Sequence, residues 1–274
     1  MVVLQMLSEL KKIANYLRIK ILKIIFRVKK GHIGGSFSCL DIIICIYLSK
    51  IFKLTKNHFN NNSNDFFILS KGHNAIALYS VLDFLKISKN YKLDNFHQSG
   101  SLLTEHPSPS KKLPGIEIET GSLGNGLGVG AGFAFANKDN KKKVIVLVGD
   151  GELYEGSNWE AMILAANYKL YNLLLIVDRN FAMTLDRTED VMRLENLEKK
   201  IKSFGFETAT IDGHNYSTIL RKLKKFKSKK SGPPMCIIAK TKKGKGSSIM
   251  ESDLKFHHGV PSPAEYENIL KNLG

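Results

Sequence analysis

The chain has 274 residues, enough to bury a full hydrophobic core and within the range of one large α/β domain, so residues 1–274 are read as a single domain. With 43% apolar and 24% charged residues, the composition excludes disordered and fibrous classes. The formal net charge of +16 would suit a polyanion, but the lysines are spread along the chain rather than gathered in a stripe. The expectation is therefore a solvated basic surface with no nucleic-acid partner.

Leu7, Leu10, Ile13, Leu17, Ile21, Ile24 and Ile25 recur at helical spacing, which predicts a long first helix ending near Gly31. Because Leu4 to Lys30 is amphipathic and basic, a transit peptide or membrane-surface helix has to be weighed. Glu9 and the lack of a cleavage-like segment stand against both. A glycine-rich turn is expected at GHIGG, followed by the most apolar run, DIIICIYLSKIF, from Asp41 to Phe52. Twelve residues fall well short of the roughly 20 needed to cross a bilayer, so this run reads as a buried helix with no membrane role. Cys39, Cys45 and Cys236 are odd in number and lack CxxC spacing, which removes a disulfide framework and a zinc knuckle and fits a reducing cytoplasm.

Short β-rich runs then alternate with helical stretches: Phe66 to Leu69, Val144 to Val148, Leu173 to Val177, Thr208 to Ile211 and Cys236 to Ala239. That alternation predicts a doubly wound α/β fold, a mostly parallel sheet with helices on both faces. The lysine-rich stretch Arg221 to Lys230, closed by Ser231-Gly232-Pro233-Pro234, reads as an exposed helix and a loop before the last strand.

The most specific signal is KVIVLVGDGELYEGSNWEA, where a run of β-formers ends in Gly149-Asp150-Gly151. Ligands of such sheets gather at the carboxyl ends of strands. Gly149 permits a sharp exit, Asp150 offers a hard carboxylate, and Gly151 lets a phosphate lie against the backbone. Ser157 and Glu160 have the spacing of a capping box, which predicts a helix from about Asn158 to Tyr168. The next strand ends in Asp178-Arg179-Asn180, and a right-handed βαβ unit would bring Asp150 and Asn180 to one edge of the sheet. An Asp oxygen, an Asn oxygen and a backbone carbonyl just beyond make a half-shell suited to Mg2+ with two diphosphate oxygens.

GDG followed thirty residues later by Asn resembles the thiamin diphosphate fingerprint, and GDGELYEGSNWEA resembles transketolases in particular. The resemblance runs over nearly the whole chain: GHIGGSFSCLD at Gly31, ILSKGHNAIALYS at Ile68, EHPS at Glu105, ETGSLGNGLGVGAGFA at Glu119 and FHHGVP at Phe256. It implies thiamin diphosphate and Mg2+ as cofactors, with Asp150, Asn180 and the Ala182 carbonyl on the metal. It also implies Gly149, Gly151 and Glu152 at the cofactor, and Gly121, Ser122 and Leu123 in a loop over it. The rival reading of Gly126 to Ala131 as GxGxxA of a dinucleotide site lacks the strand before it and the acidic residue after it. TKKGKGSS at Thr241 to Ser248 does not satisfy a Walker A loop.

By the same resemblance His32 and His258 carry protons on and off donor-sugar hydroxyls, as imidazoles can near neutral pH. His106 binds substrate together with them, His73 lies near the diphosphate, and His258 also reaches the cofactor. His58, His97 and His214 carry no motif and are assigned surface roles, and His257 is only a neighbour of His258. Two departures bear on the pocket: Ile33 replaces the proline of the family's GHPGG turn, and Phe181-Ala182-Met183 follows Asn180 where glycine and a polar residue are usual.

Full transketolases carry a pyrimidine-binding domain after the HGxP motif, and here Gly259 is followed by fifteen residues. The resemblance therefore implies that a separate pyrimidine-domain subunit is the partner, in an α2β2 assembly acting on sugar phosphates. The apolar Asp41 to Phe52 helix is expected to contribute to that interface. Two alternatives stand beside this reading: the alpha subunit of a 2-oxo acid dehydrogenase, which also carries GDG, and a degenerate non-catalytic remnant.

Overall fold

The computed structural model describes residues 2–54, 64–109 and 113–274. His58 lies outside them. In chain order the elements are α1 (Val2–Val28), α2 (Ile33–Leu48), β1 (Phe66–Leu69), α3 (Ala75–Phe84), α4 (Asn125–Ala136), β2 (Val144–Gly149) and α5 (Gly156–Asn167). There follow β3 (Leu173–Arg179), α6 (Thr188–Val191), α7 (Leu197–Ser203), β4 (Glu207–Asp212), α8 (Tyr216–Ser228), β5 (Met235–Lys240), α9 (Ser248–Ser252) and α10 (Pro263–Leu273). The five strands form one sheet in the order β1-β2-β3-β5-β4, and all four pairings are parallel.

Alternate residues of each central strand feed opposite faces, and helices cover both. Ile145, Leu147, Leu174, Ile176 and Ile237 join α1, α2, α3 and α8 in one core, whereas Val144, Val146, Leu173, Leu175 and Ile238 join α4, α5 and α7 in the other. Burial on both faces is why β2 and β3 read as unbroken apolar runs instead of alternating ones. Among the described residues no helix is long and apolar enough to cross a membrane.

Three local expectations are corrected. Of the GHIGG glycines only Gly31, at φ +127°, lies in the bend between α1 and α2; Gly34 and Gly35 fall within α2, which starts at Ile33. A Cβ at Gly34 would stand 2.6 Å from the Phe256 carbonyl oxygen and one at Gly35 2.7 Å from Asn74 Nδ2, so these glycines let the helix start press against two other segments. Second, α5 begins at Gly156 without a side-chain cap, and Ser157 Oγ donates to the Gly124 carbonyl (2.9 Å) instead of forming a box with Glu160. The complete capping box is at α10, between Ser262 and Glu265. Third, α2 has no free apolar face to offer a partner, because Ile33 through Ile46 are all buried inside the chain's own core. The large apolar side chains left exposed include Phe135 on α4 and Ile163 and Leu164 on α5.

Close packing of α4 on the sheet depends on its glycines. A Cβ at Gly130 would lie 2.3 Å from Val146 Cγ2, and one at Gly126 would lie 2.2 Å from Ser70 Oγ. The Gly126 to Ala131 segment is therefore a helix seated on β1 and β2, not a dinucleotide loop.

Candidate active site

Because every strand is parallel, the segments leaving β1, β2, β3 and β5 emerge at one edge of the sheet. They carry Lys71, Asp150, Asn180 and Lys243 respectively, and all four line a cleft of ≈ 310 Å³. The start of α2 adds His32, and the loop before α4 adds His106, Gly121 and Leu123.

Register brings the oxygen ligands together. Gly149 pairs with Asp178, so Asp150 and Asn180 sit just beyond adjacent strand ends. Asp150 is buried; its Oδ1 accepts from the Gly151 N–H (2.9 Å), and its Oδ2 accepts from the Phe181 N–H (2.7 Å) and Arg179 Nη1 (3.2 Å). Burial pushes its pKa up to about 6 despite the Arg179 guanidinium. Asn180 Oδ1 accepts from the Ala182 N–H (3.1 Å), and its Nδ2 donates to Ser38 Oγ and Asp178 Oδ2 (3.3 Å each). The Ala182 carbonyl accepts from Lys243 Nζ at 3.2 Å, so an ammonium occupies the oxygen predicted to face a metal. One carboxylate with two neutral oxygens is a hard donor set that fits Mg2+. A Cβ at Gly151 would stand 3.0 Å from Met183 Cβ, which keeps the backbone there bare.

The departure at Phe181 is accommodated. Its φ is +62°, the left-handed region that glycine enters freely and that costs other residues about 1–2 kcal/mol. Asp150 takes its N–H, and the Arg179 guanidinium lies 4.2 Å over its ring. Ile33, in place of proline, is fully buried as the first residue of α2.

Two lysines of the cleft escaped the sequence reading. Lys71 is buried against Asp178, which also accepts from Ser38 Oγ (2.6 Å) and Thr241 Oγ1. Burial lowers the pKa of Lys71, but Asp178 outweighs it and the net shift is upward. Lys243 is brought down to about 8 by burial and by the Lys71 charge. Both follow strand ends, in SKGH and TKKGKG, so the rule that singled out Asp150 and Asn180 would have found them.

The histidines gather as the motifs imply, with one exchange. His32 has ring centroids at 4.9 Å from His73 and 4.5 Å from His258. His106 and His73 line the cleft. His258 stands exposed outside the lining, whereas His257 lines the cleft, its Nε2 3.0 Å from Thr184 Oγ1 and its Nδ1 against Lys243 Nζ. Burial, then the neighbouring His258, lowers the His32 pKa to about 4; burial, then Lys243, lowers that of His257 to about 3. His73 is depressed well below its usual value by burial and Lys71. These three imidazoles are therefore neutral at pH 7.

Ser122 is exposed outside the lining, with its carbonyl accepting from Asn125 Nδ2 (3.3 Å). Glu152 lines the cleft, and its carboxylate accepts from the N–H groups of Gly124 (3.0 Å) and Gly149 (3.2 Å) and from Ser70 Oγ, so it also braces the surrounding loops. His214 is not a surface residue: its Nδ1 lies 2.6 Å from the buried Asp41. His97 is half-buried with φ +57°, and its N–H donates to the Leu103 carbonyl (2.8 Å).

Residues 9–274 match the family described as transketolase, thiamine diphosphate binding domain. The A-type subunit of an apulose-4-phosphate transketolase from Phocaeicola vulgatus is 38% identical, over 93% of this chain and 90% of its own length. The corresponding protein from Actinobacillus succinogenes is 37% identical, over 97% of this chain and 96% of its own. Human transketolase is 35% identical over 98% of this chain, which spans 42% of that protein. The crystal structure of Campylobacter jejuni transketolase superimposes with a TM-score of 0.86 at 31% identity, covering 97% of this chain and 42% of that one. Sequence match, topology and the strand-end site agree: this chain belongs to the transketolase thiamine diphosphate binding domain family.

Proposed function

We propose that this chain is the diphosphate-binding subunit of a two-chain transketolase, which moves a two-carbon ketol unit from a ketose phosphate to an aldose phosphate. The observation that carries the reading is the convergence of Asp150, Asn180, the Ala182 carbonyl, Lys71 and Lys243 at one sheet edge beside neutral imidazoles. Asp150, Asn180 and the Ala182 carbonyl hold Mg2+, and Lys71 and Lys243 balance the diphosphate charge. Lys243 must release the Ala182 carbonyl for a cation to bind there. Thiamin diphosphate supplies the carbanion chemistry when bound. His32, neutral in the cleft, accepts a proton from a donor-sugar hydroxyl, and His258 at its rim does the same, while His106 orients the sugar.

The partner is a separate pyrimidine-domain chain, in an α2β2 assembly in the cytoplasm. Support comes from relatives named as one subunit of a transketolase that match this chain nearly end to end, while it spans 42% of the human enzyme. The 2-oxo acid dehydrogenase alternative is not favoured by these relatives.

The test assays ketol transfer by this chain with thiamin diphosphate and Mg2+, alone and with the candidate partner. Turnover is expected only for the mixture, and full turnover by the chain alone would refute the two-chain reading. Inactivity with a proven partner would favour a degenerate remnant. In the mixture Asp150→Ala is expected to abolish Mg2+-dependent cofactor binding, since it removes the only charged metal ligand.

A further inference from the structure

Glu105 belongs to no assignment above, yet it lies between the two histidines given the proton-transfer role. His32 Nδ1 is 3.2 Å from Glu105 Oε1, and His258 Nε2 is 3.5 Å from the same oxygen. One ligand atom from each of the three residues falls within 4.8 Å of the others. They come from three distant segments: the entry to α2, the loop after Ser101, and the turn after Leu254–His257. We propose that His32, Glu105 and His258 form a binding site for a borderline divalent transition metal of the Zn2+ class at the mouth of the cleft, distinct from the oxygen site that suits Mg2+.

The spacing is that of chelation. Two ligands each about 2.0–2.1 Å from a tetrahedral Zn2+ stand about 3.3 Å apart, close to both measured separations. The contact also fails as a hydrogen bond. His32 Nδ1 and Glu105 Oε1 are both shielded from solvent and, 3.2 Å apart, find no hydrogen-bond partner in each other or elsewhere among the described residues. A cation bound by both atoms would satisfy them together.

The chemistry selects the metal. Two imidazoles and one carboxylate match the His2Glu set of open zinc sites, with a further coordination position left for water or a ligand. Imidazole must be unprotonated to bind, and burial already keeps His32 neutral. Mg2+ prefers an all-oxygen shell and goes to Asp150 and Asn180 instead. The softer thiols do not compete, because Cys39, Cys45 and Cys236 are all buried. On the transketolase reading above, an occupied site withdraws His32 and His258 from proton transfer and inhibits turnover without displacing the cofactor.

The binding test does not depend on that reading, since it measures no turnover. The metal-free full-length chain, kept in excess Mg2+, is titrated with Co2+ and followed by visible absorption, then with Zn2+ by calorimetry. One equivalent of Co2+ with the intense bands of low-coordinate cobalt, displaced stoichiometrically by Zn2+, is expected. Glu105→Gln, which preserves the shape of the side chain, should weaken Zn2+ binding at least about tenfold, and His258→Ala should do the same. Thermal melts of both variants verify folding. No stoichiometric site in the wild-type chain, or undiminished affinity in folded Glu105→Gln, would overturn the proposal.

Discussion

Two buried charge clusters flank α2, and they are built in opposite ways. In the first, Asp41 Oδ2 accepts from Arg18 Nη2 (2.8 Å) and lies 2.6 Å from His214 Nδ1, while Oδ1 accepts from Tyr216 OH (2.6 Å). His214 Nε2 accepts the Lys242 N–H (2.9 Å), so the proton rests on Nδ1 and points at Asp41. Burial works against the Asp41 carboxylate, but Arg18 and His214 outweigh it and hold its pKa down at about 2. The second cluster is the cleft, where Lys71, Lys243 and three histidines crowd together. Its acids are already engaged by protein donors, and Lys243, His257 and His32 all have depressed pKa values. One cluster is closed and holds the fold together. The other leaves Lys243, beside the like-charged Lys71, without a carboxylate partner among the described residues, the condition of a site that awaits an anion.

The largest expected effect is on the closed cluster. Asp41→Ala leaves the Arg18 guanidinium and the Tyr216 hydroxyl buried without their acceptor, and should cost about 3–5 kcal/mol of folding stability by denaturant titration. A loss under 1 kcal/mol would mean that the network is not structural. In the cleft the balance reverses: His32→Ala should lower kcat of the assembled enzyme by roughly two to four orders of magnitude while the melting temperature scarcely moves. Near-normal turnover would remove His32 from the chemistry.

A smaller effect follows at Lys243. Lys243→Met removes the ammonium from the Ala182 carbonyl and from the like-charged Lys71, so cofactor-free stability should hold or rise. Thiamin diphosphate affinity should fall about ten- to hundredfold, the scale of one charge-assisted hydrogen bond. A variant destabilised without the cofactor and unaltered in binding would make Lys243 a member of the closed class.

The smallest difference near neutrality is in pH dependence. The folded-state pKa of His257 is about 3, below the 6.5 of the unfolded chain, so between those values the unfolded state binds more protons. Its contribution to stability is whole above pH 6.5 and is lost as pH falls toward 3. His257→Asn should therefore flatten the acid limb of the stability profile by at most about 1.4 kcal/mol per pH unit. Identical profiles for the two proteins would show that the His257 pKa is not depressed.

Part of this molecule was legible before folding. Asp150 and Asn180 could be paired because a parallel βαβ unit returns the chain to the same sheet edge, and the register of Gly149 with Asp178 delivers that. Lys71 and Lys243 obey the same rule, yet lysine is common in this chain and neither stood out locally. Glu105 and the exchange of His257 for His258 in the lining could not be read, because both depend on how distant loops fold over α2. Ser157 fell to the same cause: the Gly124 loop reaches its hydroxyl before Glu160 can close a box.

By itself, then, the sequence determined the sheet, its two-sided burial and the edge where ligands collect, since apolar periodicity and strand-end chemistry are short-range properties of the chain. Tertiary structure alone decided which polar groups are satisfied and which are left waiting. Asp41, in the middle of an apolar helix, becomes a closed ion pair because Arg18 and His214 arrive from 23 and 173 residues away. Glu105 Oε1 stands beside His32 and His258 without a hydrogen bond among the described residues, because the loop that carries it meets α2 only in the folded chain. The energy of a buried charge depends on every neighbour within a few ångströms, and those neighbours are chosen by the fold.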